Sequence, residues 1–158
     1  MLTIRPALPT DVSLVRSLIE ELADYERLRD ACKATDEAVH AALFGAHPAA
    51  ECLLAEWSGE VVGFALFFHN FSTFEAKRGL YLEDLFVRPA FRKHGIGRSL
   101  LRHLARLALD RGCARFEWSV LDWNEPAIRF YKAIGARPMD EWTVFRVDGS
   151  ALVDLAGG

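Results

Sequence analysis

An aromatic, apolar run that meets a proline and then two closely spaced glycines leaves a chain few ways to fold. Tyr81 to Ser99, YLEDLFVRPAFRKHGIGRS, is such a stretch. Its first half, Tyr81 to Val87, predicts a buried strand. Pro89 ends it, because proline cannot donate to a ladder and restrains the residue before it. Arg92, Gly95 and Gly97 then lead into a long amphipathic segment. Strand, glycine-bearing turn and helix N-terminus in succession present free backbone N–H groups and the positive end of a helix dipole, a seat suited to a pyrophosphate. Two common phosphate patterns do not fit. A P-loop places Lys-Ser/Thr after its second glycine, whereas Arg98-Ser99 follows Gly97. The dinucleotide fingerprint needs three glycines, and there are two here.

The rest of the chain bounds the partners. Its 158 residues predict one domain, 1–158, with room for a full hydrophobic core. A net charge of −3 gives no basic footprint, so no nucleic-acid partner is expected. The start MLTIRPALPTD lacks the pattern of a signal peptide, and no apolar run approaches membrane-spanning length. Cys32, Cys52 and Cys113 are odd in number and form no CxxC, so they read as reduced thiols and a cytoplasmic location is expected. The five histidines show no HExxH and no ligand spacing, so no metal is expected.

In chain order, Leu2 to Arg5 reads as a strand ended by Pro6, and Thr10-Asp11 as the cap of a helix running toward Tyr25-Glu26. A charged connection, RLRDACKA, leads to a second helix from Thr35 to near Gly45 and lies where it could cover a pocket. Glu51–Trp57 and Glu60–Phe68 form a hairpin around Ser58-Gly59. His69 to Lys77 reads as a loop, and Arg78 begins the central strand. Beyond it come a helix with Ile96, Leu100, Leu101, Leu104, Leu107 and Ala108 on one face, a strand from Arg115 to Leu121, and a helix from Glu125 to Ile134. Trp142 to Val147 reads as a late strand and Ala151 to Leu155 as a terminal turn. This order predicts a mixed α/β fold, a mostly antiparallel sheet flanked by helices.

A second stretch, Asp122 to Ala136, adds Asn124 as an N-cap and Pro126 in the first helical turn. Its words N-x-x-A-x-x-F-Y-x-x-x-G-A follow Arg92-x-x-Gly95-x-Gly97 at a suitable distance. Together the two motifs resemble those of the GNAT N-acetyltransferases, and the likeness covers essentially the whole chain. Tyr25-Glu26, Tyr81 to Val87 and Asp122 to Pro126 are similar to the diamine (spermidine/spermine) acetyltransferase branch. Leu121 to Asn124 with Leu155-Ala-Gly157 leans toward its thialysine-acetylating relatives. The resemblance implies a GNAT-type fold with a splayed sheet, acetyl-CoA as cosubstrate, and a homodimer. It implies that Leu85, Phe86 and Val87 hold the pantetheine. Arg92, Lys93, His94, Gly95, Ile96, Gly97 and Arg98 would cradle the pyrophosphate, and Asn124, Glu125, Pro126 and Ala127 would complete the cofactor site. Tyr131 would be the acid for the leaving thiolate. Two departures stand out. Lys93-His94 replaces the glycine that often follows the motif arginine, and Asn70 to Lys77 lacks the acid and tryptophan of diamine acetylators.

The chemistry fits these residues. A tyrosine with a pKa of about 10 is protonated at neutral pH and can be the acid. A backbone N–H in the splayed strand Leu85 to Val87 could polarise the thioester carbonyl. Glu83 is the candidate base, through water, and Tyr25, Glu26, Glu83, Asp84 and Asp122 are candidate substrate contacts for a cationic amine. In a regular strand Glu83 or Asp84 would point into an apolar layer, which is costly, so a bulge or a wet cleft is expected there. Trp57, Trp118 and Trp142 read as core or sheet-face aromatics, and His94 as a phosphate contact. The expected activity is acetylation of a lysine- or thialysine-like amino acid ahead of a polyamine. The alternatives are a protein or peptide N-acetyltransferase and a non-catalytic acyl-CoA sensor.

Overall fold

Five apolar segments pair into a single sheet. The structure, a computed structural model, describes residues 1–158. The strands are β1 (Leu2–Pro6), β2 (Glu51–Trp57), β3 (Glu60–Ser72), β4 (Lys77–Val87) and β5 (Arg115–Trp118). They lie in chain order across the sheet, antiparallel from β1 to β4, with β5 parallel to β4. The helices are α1 (Val12–Tyr25), α2 (Asp36–Phe44), α3 (Ile96–Asp110), α4 (Glu125–Ala133) and α5 (Gly149–Leu155). The chain divides into two compact units, Met1–Ser119 and Val120–Gly158. The first holds the whole sheet with α1, α2 and α3.

Local chemistry explains the elements of the first unit. Val12, Val15, Leu18 and Leu22 recur along one face of α1 and are buried. They join Val39 and Leu43 of α2 and Leu54, Phe64 and Phe86 of the sheet in one apolar cluster. Thr35 caps α2, its hydroxyl accepting from Ala38 N–H at 3.1 Å. Ile96, Leu100, Leu101, Leu104 and Ala108 form the buried face of α3. The β2–β3 hairpin turns at Ser58 and Gly59, whose φ values of 51° and 88° both lie in the left-handed region that two-residue hairpins require.

Three boundaries differ from the sequence reading. His69 to Lys77 is not a loop, because β3 runs on to Ser72 and pairs it with Lys77, so only residues 73–76 turn. His69 and Asn70 are polar, but ladder bonding depends on the backbone, and polarity alone misplaced this segment. The strand after α3 stops at Trp118 instead of Leu121. Trp142 to Val147 joins no ladder, and Trp142, Val144 and Phe145 are 75%, 85% and 91% exposed. Strand-like composition shows pairing propensity but does not supply a neighbouring edge. In the second unit the other expected elements form, α4 where predicted and α5 as a short helix in place of a turn.

Two features of β4 shape the site. Its register against β3 slips between Leu66 and Phe67, which face Asp84 and Leu82, so Glu83 is an extra residue. Its pairing with β5 covers only Gly79 to Leu82, whereas β4 continues to Val87. Residues 83–87 therefore keep a free edge on the side away from β3.

β3 comes unusually close to this segment at Gly63. A Cβ there would lie 2.7 Å from the carbonyl oxygen of Phe86 and 3.3 Å from Val87 Cα. Gly63→Ala should destabilise the fold by about 1–3 kcal/mol, the range for overpacking. Urea unfolding of the variant checks this, and an unchanged midpoint would contradict the close approach.

Candidate active site

The glycine-bearing turn takes the form its sequence predicts. Lys93 and Gly95 both have left-handed backbones, at φ 70° and 75°, and Gly95 is the N-cap of α3. The first turn of a helix leaves its amides without intrahelical acceptors, and here the first bond runs from Ser99 N–H to Gly95 O at 3.0 Å. The amides of Ile96, Gly97 and Arg98 are thus available to an anion. A Cβ at Gly95 would meet nothing within 4 Å, and one at Gly97 only Val87 Cγ2 at 4.0 Å. Open space over an unpaired helix start fits a pyrophosphate. Lys93, His94 and Arg98 are exposed around it.

Arg92 has a different part. Its guanidinium lies 4.7 Å from the Tyr25 ring centroid and 5.6 Å from that of Phe86, and its Nε donates to Val87 O at 2.9 Å. The motif arginine thus ties the end of α1 to the end of β4 through its side chain. Arg88 makes a second tie: its Nη2 lies 3.0 Å from Glu21 of α1, and its Nη1 donates to Val61 O at 3.0 Å. The ties to α1 were not visible in the sequence, since Tyr25 and Glu21 lie more than sixty positions from Arg92 and Arg88.

The bulge gathers three carboxylates. Glu83 is exposed at the extra position, Asp84 is largely buried beside it, and Glu26 caps the C-terminal end of α1. Burial first, and then the charges of Glu83 and Glu26, push the Asp84 carboxyl up to about 7. Burial and then Glu83 also raise Glu26. Carboxylates grouped in this way form a negative field that an ammonium group would neutralise. Cys52 lies within this field, and burial with the Asp84 charge pushes its thiol up to about 12, so it is inert. In the 27–34 connection, Arg27, Leu28, Arg29, Asp30 and Ala31 line an open depression together with Asp24. Arg29 is fixed there to Asp24 at 2.7 Å.

In the second unit, Asn124 is buried and caps α4, its Oδ1 accepting from Ala127 N–H at 3.4 Å. Glu125 and Pro126 occupy the first turn, Asp122 is exposed, and Tyr131 is half-buried with its ring centroid 5.7 Å from that of Phe130. Cap, proline and tyrosine sit on the elements the sequence assigned to them.

The sheet thus parts beside a bulge, and an open glycine-bearing turn leads from it into α3. The chain matches the family model "Acetyltransferase (GNAT) family" over residues 15–136. It belongs to the GNAT family and is an acetyltransferase of it. It is 42% identical over 165 residues to thialysine N-epsilon-acetyltransferase of Bos taurus, covering 98% of this chain and 96% of that one. To L-ornithine N5-acetyltransferase of Arabidopsis thaliana it is 34% identical, with 94% and 85% covered. Among solved structures, an integron cassette protein from the mobile metagenome of V. cholerae superposes with a TM-score of 0.84 at 28% identity, over 99% of this chain and 98% of that one.

The raised carboxyl has a stability consequence. The folded Asp84 keeps its proton up to about pH 7, whereas the unfolded one loses it at about 4. The folded state binds more protons between those values, so wild-type stability falls as pH rises through that window. Asp84→Asn should be more stable than wild type at pH 8 by on the order of 1–3 kcal/mol, with the difference vanishing toward pH 4. Denaturant unfolding from pH 4 to 8 checks this, and a pH-independent gap would contradict it.

Proposed function

We propose that the chain transfers the acetyl group of acetyl-CoA directly to the primary amine of a small cationic substrate, a lysine- or thialysine-like amino acid ahead of a polyamine. The observation that carries this reading is the grouping of Glu26, Glu83 and Asp84 at the bulge of the strand that leads into the pyrophosphate seat. Relatives named for thialysine and L-ornithine support it, since both names denote an amino acid with a terminal side-chain amine. Residues Asn70 to Lys77 form the ends of β3 and β4 and the turn between them, and they lack the tryptophan expected of a diamine acetylator.

The step proceeds in one ternary complex. The neutral amine nitrogen attacks the thioester carbonyl carbon, a C–N bond forms and the C–S bond breaks. A backbone N–H on the free edge of residues 85–87 steadies the carbonyl oxygen. The amine arrives charged, with a pKa of about 10.4, and must lose a proton first. Carboxylates that hold an ammonium also resist its deprotonation, so the proton leaves by relay through water and Glu83. Asp84, poised near 7, can take up and release a proton at neutral pH. Tyr131, in the second unit, gives its proton to the departing thiolate. The whole chain works as one GNAT domain in this reading, as a family match that spans both units supports.

Free-thiol release from acetyl-CoA with thialysine, lysine, ornithine, spermidine, putrescine and a basic peptide tests the activity. The amino acids should give the largest kcat/KM. Faster turnover of polyamine or peptide would reassign the substrate, and no turnover with any amine would overturn the reading. In the same assay Tyr131→Phe should lower kcat by about 10²–10⁴-fold and leave the KM for acetyl-CoA near wild type.

We also infer a homodimer. The exposed apolar residues Trp142, Val144 and Phe145 of the second unit support it, since such a strip is costly to leave in water. Light scattering should give twice the chain mass for wild type and a monomer for Phe145→Glu. A monomeric wild type would refute the dimer.

A further inference from the structure

One ring contact in the first unit reaches the pyrophosphate seat from a residue outside every motif. The seat depends on residues 93–95, and little backbone bonding holds them. The preceding turn ends with Arg92 N–H to Pro89 O at 3.3 Å, and bonding resumes with Ser99 N–H to Gly95 O at 3.0 Å. Between these bonds the chain passes through left-handed Lys93 and Gly95, with His94 in the middle. The His94 ring stacks on Trp57, with centroids 4.9 Å apart and planes 30° apart.

Trp57 is well placed to act as a fixed post. It ends β2 and is paired on both sides, with Leu2 of β1 and Glu60 of β3. The next residue, Ser58, donates its N–H to Met1 O at 2.9 Å. The indole is half-buried, whereas His94 is exposed. Two rings in offset stacking attract each other beyond the area they bury, and here only one of them is anchored. The contact therefore transfers the rigidity of the sheet corner to the loop.

We propose that Trp57 is a positioning residue for acetyl-CoA: through His94 it holds the 93–95 turn so that the first-turn amides of α3 face the pyrophosphate. This rests on the acetyl-CoA reading of the seat and adds to it a residue that touches no substrate. It also gives His94 a second part beside phosphate contact.

Calorimetric titration with acetyl-CoA and hydrogen exchange of the 93–95 amides in the free protein test it together. Trp57→Ala should weaken acetyl-CoA binding by about fivefold, the scale of an aromatic pair, and speed exchange at 93–95. Its KM for acetyl-CoA should rise while kcat stays near wild type. Trp57→Phe, which keeps a ring, should restore most of the affinity. His94→Ala, at an exposed position that leaves the fold intact, should weaken binding comparably, and the double variant should lose little more than either single one. Additive losses, unchanged affinity or unchanged exchange would overturn the proposal. A wild-type chain that binds no acetyl-CoA would instead overturn the cofactor reading, and the exchange data would still decide whether Trp57 orders the turn.

Discussion

A carboxylate left unpaired against an apolar layer is costly, and β4 must carry two carboxylates while serving as a core strand. Leu80, Leu82 and Phe86 are all buried, and in an unbroken ladder Asp84 would fall between the last two on the same face. The extra residue at Glu83 changes the parity. Phe86 then enters the cluster with Val15, Leu18 and Phe64, and the two acids meet Glu26 at the end of α1. One inserted residue thus reconciles the core with the cleft. It also falls where β5 has left β4, so the backbone edge that could serve a thioester lies beside the carboxylates.

The field of those acids acts in opposing directions. Toward the proposed cationic amine it would be attractive, but it would also stabilise the charged form that cannot react. The burial that raises Asp84 eases the conflict, since a group poised near 7 exchanges protons at the working pH. The cost falls on folding, because a buried acid that ionises in the unfolded state destabilises the native one as pH rises. The apolar cluster beneath α1 and α2 offsets that cost. An acid so placed is better explained by chemistry than by stability.

Much of this was legible in the sequence because its cues were local. Pro89, Gly95 and the periodic leucines of α3 specify a strand, a turn and a helix within twenty residues. Asn124 and Pro126 specify the start of α4 in the same way. The acid pair 83–84 pointed to a bulge or a wet cleft, and the bulge is there. What could not be read depended on distant partners. Nothing in its motif places Arg92 over Tyr25, and nothing near Trp57 places it against His94. The polar end of β3 hid a ladder, and the apolar run 142–147 suggested one that no edge completes. Side-chain composition reports burial well and backbone pairing poorly.

Lys93 shows how strain and function meet in the seat. A lysine at φ 70° takes a left-handed backbone that costs a side-chain-bearing residue about 1–2 kcal/mol, which glycine would escape. A glycine there would also remove a positive charge beside the proposed anion site and leave the turn free to open. A strained conformation persists only where its surroundings over-determine it. Arg92, bonded to Val87 O and lying over Tyr25, fixes the turn before Lys93, and the His94 ring on Trp57 fixes it after. The turn keeps its charge because two aromatic contacts, one with the end of α1 and one with the end of β2, hold the backbone that the lysine alone would relax.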